Sequence, residues 1–274
     1  MSFENFKKII DDIGSYLYRV DLHNWGEPML NDEIYRIIEY AHSRNIEVRL
    51  SSNLNRMGED RAEKLVSSGL NVLIVSLDGA SQETYTKYRI GGKYDKVLDG
   101  VQMVAEARKK LRKQTPQIVW QFIVMKHNEH EIPKVKDVYG IFGFDRIDLL
   151  CVRPDMGREI LWSDEARTEN LRRWLPNNEE FCAYDRLTKK KKKPSKTCSF
   201  LWVQAAINWN GSVSPCCAVY DEEYDFGNAF EEGFKKIWNN EKYRTARQIV
   251  RKRGADTPSE NMMICYYCTK NGFI

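Results

Sequence analysis

The first 150 residues of this 274-residue chain contain no cysteine, and all seven cysteines lie at or beyond position 151. No apolar run approaches the roughly 18 residues that a membrane helix needs, so the sequence predicts no membrane-spanning helix. The first 13 residues are not a signal peptide, because acidic residues interrupt them and their apolar residues keep helical spacing. The odd cysteine count and the missing export signal argue against a disulfide framework and predict a cytoplasmic protein.

The charge balance gives little support for a nucleic-acid partner. The formal net charge is +4, and the lysine run at residues 189–193 alone exceeds that excess. A short lysine run closed by proline is typical of a solvated linker. His127 and His130 have a helical i, i+3 spacing, but further ligands are not evident, so no metal site is assigned to them.

Four C-terminal cysteines have the spacing of a metal site. Cys265 and Cys268 form a Cys-x-x-Cys pair, which is expected to present two sulfurs from a tight turn. Cys198 and Cys216 flank a stretch that is predicted to form a hairpin and can supply the other two thiolates. Spacing alone allows either zinc or an iron-sulfur cluster.

Three cysteines remain outside this set. Cys151 lies in an apolar strand and is predicted to be a core residue. Cys217 directly follows the predicted ligand Cys216, and two adjacent cysteines are poorly placed to bind the same metal site. Cys182 is open to three interpretations: an extra ligand, a substrate-handling residue or an inert buried thiol.

Short β-rich runs alternate with amphipathic helical stretches between residues 15 and 152. This pattern is typical of parallel strands joined by helical crossovers and predicts an α/β domain. Asn31 is expected to cap the first crossover helix and Gly69 to end the second. The five predicted strands cover residues 16–22, 46–50, 72–77, 118–125 and 146–152.

Polar residues follow the first four predicted strands. The segments are 23–28 (His-Asn-Trp-Gly-Glu-Pro), 51–53 (Ser-Ser-Asn), 76–79 (Ser-Leu-Asp-Gly) and 125–128 (Met-Lys-His-Asn). Each taken alone is explained by turns and helix caps. Because ligands bind at the carboxyl ends of parallel strands, the four together predict a pocket for a charged, hydrogen-bonding small molecule.

These motifs resemble those of the radical S-adenosylmethionine (radical SAM) enzymes that carry a C-terminal SPASM iron-sulfur domain. The resemblance implies a partial (β/α)6 TIM-like barrel missing its first strand, plus a small Cys-rich SPASM-type domain. It places the partial barrel at residues 1–155, a connecting helix and Lys-rich linker at 156–196, and the SPASM-type domain at 197–274.

The resemblance also implies roles for individual residues. Gly26, Glu27 and Pro28 correspond to the motif that holds the methionine ammonium of the cofactor, since a carboxylate accepts charge-assisted bonds from an amine. Cys198, Cys216, Cys265 and Cys268 would hold an auxiliary 4Fe-4S cluster. The remaining implied S-adenosylmethionine contacts are Ser52, Asn53, Ser76, Asp78 and Arg89 around the ribose and Met125 near the adenine.

One family motif is missing from the sequence. Enzymes of this family start their chemistry at a cluster held by a Cys-x-x-x-Cys-x-x-Cys loop, and no such triplet occurs among these residues. The expectation is therefore that the chain as written does not cleave S-adenosylmethionine, either because the first strand and loop were lost by truncation or because the protein is a degenerate member.

With that loop present, the family implies reductive cleavage of S-adenosylmethionine to modify a peptide or other small-molecule substrate, with a possible electron donor protein as partner. The alternative hypothesis is a non-catalytic α/β binding module with a structural four-cysteine zinc or iron-sulfur site.

Overall fold

The computed structural model describes residues 1–153, 164–188, 190–193, 195, 197–252 and 264–270. Internal contacts divide the chain into two units. The sheet unit contains Gly14–Val152 and Pro176–Phe181, and the cysteine unit contains Met1–Ile13, Arg153–Leu175 and Cys182–Ile274. The domain boundaries expected at residues 155 and 196 stay predictions.

The sheet unit is built on five parallel strands that pair in sequence order. Parallel neighbours need crossover connections, and helices supply them between successive strands. This architecture confirms the predicted α/β fold. The strands are β1 (Arg19–Asp21), β2 (Glu47–Ser52), β3 (Val72–Ser76), β4 (Gln117–Val124) and β5 (Arg146–Cys151), and the main crossover helices are α2 (Ile34–Ser43), α3 (Glu59–Ser67), α4 (Gln82–Tyr88), α5 (Tyr94–Lys110) and α6 (Ile132–Val138).

The core of the sheet unit follows from the apolar periodicities of its elements. Helices bury one stripe each, as Ile34, Ile37 and Ile38 do in α2, and the central strand β3 is apolar up to its last residue. The largest fully buried side chain is Trp120, whose indole Nε1 donates to the carbonyl oxygen of Leu77 at 2.6 Å. This bond ties β4 to the end of β3.

Three local predictions were wrong. β1 begins at Arg19 rather than at residue 16, because Gly14–Tyr16 forms a 3-10 turn. The helix α2 begins at Ile34, and the Asn31 side chain instead accepts from the backbone N–H of Glu33. Cys151 is half-buried rather than a core residue, since β5 is an edge strand of the sheet.

The cysteine unit is formed by short elements around a compact apolar core. The predicted hairpin between Cys198 and Cys216 is present as the antiparallel pair β6 and β7. The Cys-x-x-Cys pair lies on a helix instead of the expected tight turn. The elements are α1 (Phe3–Ile13), α7 (Asp164–Trp174), α8 (Phe200–Val203), β6 (Ala206–Ile207), β7 (Val213–Ser214), α9 (Ala229–Glu232), α10 (Phe234–Trp238), α11 (Glu241–Arg251) and α12 (Ile264–Lys270).

Helix α1 belongs to the cysteine unit although it lies far from the rest of that unit in sequence. It contacts α9 and α10, and Lys235 forms an ion pair with Asp12 at 3.3 Å.

Part of the lysine run is also structured, because the backbones of Lys190 and Lys192 pair with those of Asp185 and Ala183. Among the described residues, no helix is long and apolar enough to cross a membrane.

Candidate functional site

Glu27 is held rigidly at the carboxyl edge of the sheet. Ser52 Oγ donates to its Oε1 at 2.7 Å, and the backbone N–H of Asn53 donates to its Oε2 at 2.8 Å. The N–H of Met29 adds a third bond at 3.0 Å. Gly26 has φ +93°, a conformation that favours glycine, so the turn that aims this carboxylate depends on that residue.

Ser76 and Asp78 lie at the end of the next strand. The hydroxyls of Ser76 and Ser51 are 3.2 Å apart. Asp78 is completely buried, accepting from the N–H of Ile123 at 2.7 Å and from Arg89 Nε at 2.7 Å. Burial raises the pKa of Asp78, and the Arg89 charge offsets part of that rise. The Asp78 carboxylate therefore positions Arg89 rather than facing a ligand.

Met125 occupies the end of β4. Its side chain is fully buried, and its N–H donates to Asn128 Oδ1 at 2.7 Å. The Asn128 amide in turn donates to the carbonyl oxygens of Asp78 and Ile123 at 3.1 and 3.0 Å. The Met125 carbonyl oxygen accepts from the backbone N–H groups of Asn128 and Glu129 at 3.1 and 2.9 Å, so the side chain and the backbone of Met125 are both engaged within the protein.

A cationic cleft opens beside Asn53 and has a volume of about 430 Å³. Arg56, Arg89, Lys93 and Lys96 line it, together with the phenol of Tyr85 and no carboxylate. The sequence reasoning identified Arg89 and Asn53 but missed the other cations. The signal that would have found them is the Gly91-Gly92 break between α4 and α5, which has basic residues on both sides.

The predicted ligand cysteines converge electrostatically. Burial raises the pKa of the Cys216 thiol to about 12, and Cys268 and Cys198 contribute to the rise. Burial likewise raises the pKa of Cys265 well above its ordinary value, with the other three thiols adding to it. Thiolates in such a dry cluster need a compensating cation, which an iron-sulfur cluster or a metal ion provides.

Within the described ranges, no group of three or more His, Cys, Asp or Glu side chains is placed to hold a metal ion. The core that contains Cys265 also holds the hydroxyl of Tyr243, which is buried and has no hydrogen-bond partner in the described part of the chain. The donor set and this buried hydroxyl both fit a sulfur-rich group.

The remaining cysteines lie in different surroundings. Cys182 is 3% exposed, and its Sγ donates to the carbonyl oxygen of Tyr184 at 3.3 Å, which favours the inert buried thiol among the three interpretations. Cys217 is exposed.

Comparison with known proteins agrees with this combination of a polar sheet edge and a cysteine-bearing unit. The radical SAM superfamily model matches residues 1–137, and the SPASM model, described as an iron-sulfur cluster-binding domain, matches residues 198–269. The chain belongs to the radical SAM superfamily and carries a C-terminal SPASM domain. The predicted family and the predicted classes of cofactor, S-adenosylmethionine and an iron-sulfur cluster, are therefore confirmed at the level of the family.

Two curated relatives and one solved structure indicate the range of similar proteins. The Fe-coproporphyrin III synthase of Methanosarcina barkeri is 30% identical over 88% of this chain, which spans 66% of that protein's length. The AdoMet-dependent heme synthase of the same organism is 23% identical over the whole chain and 83% of its own length. The structure of anSMEcpe with bound AdoMet and Cp18Cys peptide has a TM-score of 0.63 at 15% identity, covering 100% of this chain and 88% of that one.

Proposed function

We propose that this chain binds S-adenosylmethionine at the sheet edge and a 4Fe-4S cluster at Cys198, Cys216, Cys265 and Cys268. In a form that also has the three-cysteine loop, it would modify a peptide or other small substrate by reductive cleavage of S-adenosylmethionine. The observation that carries the proposal is the fixed Glu27 carboxylate facing Ser52 and Asn53.

Glu27 retains capacity for one more hydrogen bond. A carboxylate offers about four lone-pair positions, and three donors occupy them, two at Oε1 and one at Oε2. The open position at Oε2 suits the ammonium group of the methionine moiety in a charge-assisted bond. Because its neighbours already hold the carboxylate, little entropy is lost when the ligand binds.

The other residues at the edge of the sheet would each contact a different part of the cofactor. The hydroxyls of Ser51 and Ser76 suit the ribose, and the end of β4 at Met125 is the place that the family resemblance implies for the adenine. The cationic cleft suits the methionine carboxylate, with Arg89 oriented by Asp78. S-adenosylmethionine, reduced at the family's three-cysteine cluster, supplies the radical chemistry. The residues described here bind and orient it.

The substrate is proposed only by class. The solved structure of anSMEcpe, which is 15% identical to this chain, contains a bound peptide and supports a peptide substrate. The Fe-coproporphyrin III synthase, which is 30% identical, supports a small carboxylated molecule as substrate.

The test is S-adenosylmethionine binding by calorimetry on the anaerobically reconstituted chain. Replacing Glu27 by Gln removes the negative charge and one acceptor, so we expect a loss of about 2 kcal/mol, or roughly 30-fold in Kd. Glu39→Gln, on the exposed face of α2, is the control and should bind like wild type. Equal affinity for wild type and Glu27→Gln would contradict the assignment of the edge. Colourless protein with one zinc would favour the binding-module alternative.

A further inference from the structure

The Tyr243 hydroxyl is buried without a partner. The side chain has no exposed surface, and its hydroxyl makes no hydrogen bond to any residue that the structure describes. Buried tyrosine hydroxyls are normally satisfied, and an unsatisfied one costs about 1–3 kcal/mol. A phenylalanine at this position would avoid that cost, so we expect the hydroxyl to have an acceptor other than the amino acids that the structure describes.

The ring of Tyr243 is fixed. Phe226 packs edge-on at 4.7 Å between centroids, and Trp238 lies at 4.8 Å on another side. The Arg247 guanidinium lies 5.1 Å from the ring centroid. Tyr243 lies in the first turn of α11, where its backbone N–H donates to the capping side chain of Asn240 at 3.0 Å. A hydroxyl held in this way cannot turn towards solvent.

The core that holds Tyr243 also contains or contacts three of the predicted cysteine ligands. Tyr243 and Cys265 belong to the same buried core, and Cys198 and Cys216 pack against that core. Helix α11 contacts α12, which carries Cys265 and Cys268. The Tyr243 hydroxyl is thus a hydrogen-bond donor fixed in the core that holds these cysteines.

We propose that Tyr243 donates a hydrogen bond to a sulfur of the cluster held by these cysteines and so raises the reduction potential of the cluster. The inference rests on the proposed function, since it requires the cluster. Reduction adds negative charge to the sulfurs, and a fixed O–H dipole stabilises the reduced form more than the oxidised one. Hydrogen bonds to the sulfurs are among the factors that set the potentials of iron-sulfur clusters.

The experiment is a redox titration of Tyr243→Phe, followed by electron paramagnetic resonance on the anaerobically reconstituted full chain. We expect the oxidised-to-reduced ratio at a fixed potential to rise about tenfold, which is a negative shift of ~59 mV for a one-electron couple. Tyr224→Phe is the matched control, because Tyr224 lies in the same core but its hydroxyl is not among the described buried polar groups that have no partner. The control should titrate like wild type.

Different failures have different meanings. Wild-type protein that takes up no iron overturns the cluster assignment and this inference together. Loaded Tyr243→Phe with an unchanged potential, or with a shift matched by Tyr224→Phe, overturns the inference alone. Should Tyr243→Phe fail to take up iron, the wild-type chain decides: pulsed double-resonance spectra before and after transfer to D₂O must show a strongly coupled exchangeable proton, and its absence overturns the inference.

Discussion

Four cationic side chains line the cleft beside Asn53, and they differ in their partners. Arg89 is paired with Asp78, whereas Arg56, Lys93 and Lys96 form no ion pair with any residue that the structure describes. Unpaired cations around a concave surface attract an anion. The methionine carboxylate of S-adenosylmethionine is the anion that the proposed function supplies.

Replacing Lys93 and Lys96 together by Ala is expected to raise the Kd for S-adenosylmethionine about five- to tenfold, because two charges near the carboxylate are lost. Calorimetry at low and high salt is the measurement, and wild type should lose more affinity with salt than the variant does. Lys110→Ala, in the last turn of the same helix and paired with Glu63, is the control. Unchanged affinity in the double variant would show that the carboxylate binds elsewhere.

Residue types identified the edge of the sheet but not how each residue acts there. The sequence placed Glu27 and Ser52 at neighbouring strand ends, and the structure joins them by a hydrogen bond. Asp78 and Met125 were predicted from the same pattern, yet both side chains are fully buried. Whether a polar side chain meets a ligand or supports another residue depends on packing, which strand-end patterns do not contain.

Among the elements, the hairpin of β6 and β7 depends on its glycine. Gly211 has φ +88°, and a Cβ there would lie 2.5 Å from Asn228 Oδ1 and from the ring of Phe230. Asn228 also donates to the carbonyl oxygen of Asn210 at 3.1 Å. The turn thus combines a left-handed conformation with close packing, and both requirements exclude a larger residue.

Gly211→Ala should lower the free energy of unfolding of the cysteine unit by about 2–3 kcal/mol, from backbone strain and the clash together. Thermal unfolding by circular dichroism measures this, with iron content as a second readout. Gly58→Ala, where nothing lies within 4 Å of the added carbon and φ is not positive, should change little. A stable Gly211→Ala variant would mean that the turn relaxes.

The hydrophobic periodicity of the sequence predicted which helices and strands exist better than it predicted where they begin and end. The five strands were found because apolar runs alternate with amphipathic helices. In the structure they pair in the order in which they occur in the sequence. The Cys-x-x-Cys segment was expected to form a tight turn from its ligand spacing alone. Its helix places Cys265 and Cys268 at i and i+3, where side chains share a face.

At the scale of the whole molecule, the two units are stabilised differently. The sheet unit buries long apolar strands and helices, whereas the cysteine unit has a smaller core that includes buried thiols. A group that binds only the folded form contributes its binding free energy to stability. Removal of the cluster should therefore affect one unit far more than the other.

We expect calorimetry of the reconstituted chain to show that iron chelation lowers the unfolding temperature of the cysteine unit by about 10 °C or more, since each kcal/mol shifts a domain of 60–100 residues by about 4–8 °C. The transition of the sheet unit is the internal control and should stay in place. Equal shifts of both transitions would indicate that the units unfold as one. A scan without any shift would mean that the cluster does not stabilise the fold.

The position of α1 has a consequence for synthesis on the ribosome. The surfaces that this helix contacts, α9 and α10, are translated more than 200 residues after it. Its buried face, with Phe6, Ile9, Ile10 and Ile13, must therefore remain without its native cover while the five strands assemble. The cysteine unit therefore matures later than the sheet, and the apolar face of α1 is a natural target for a chaperone until α9 and α10 have been made.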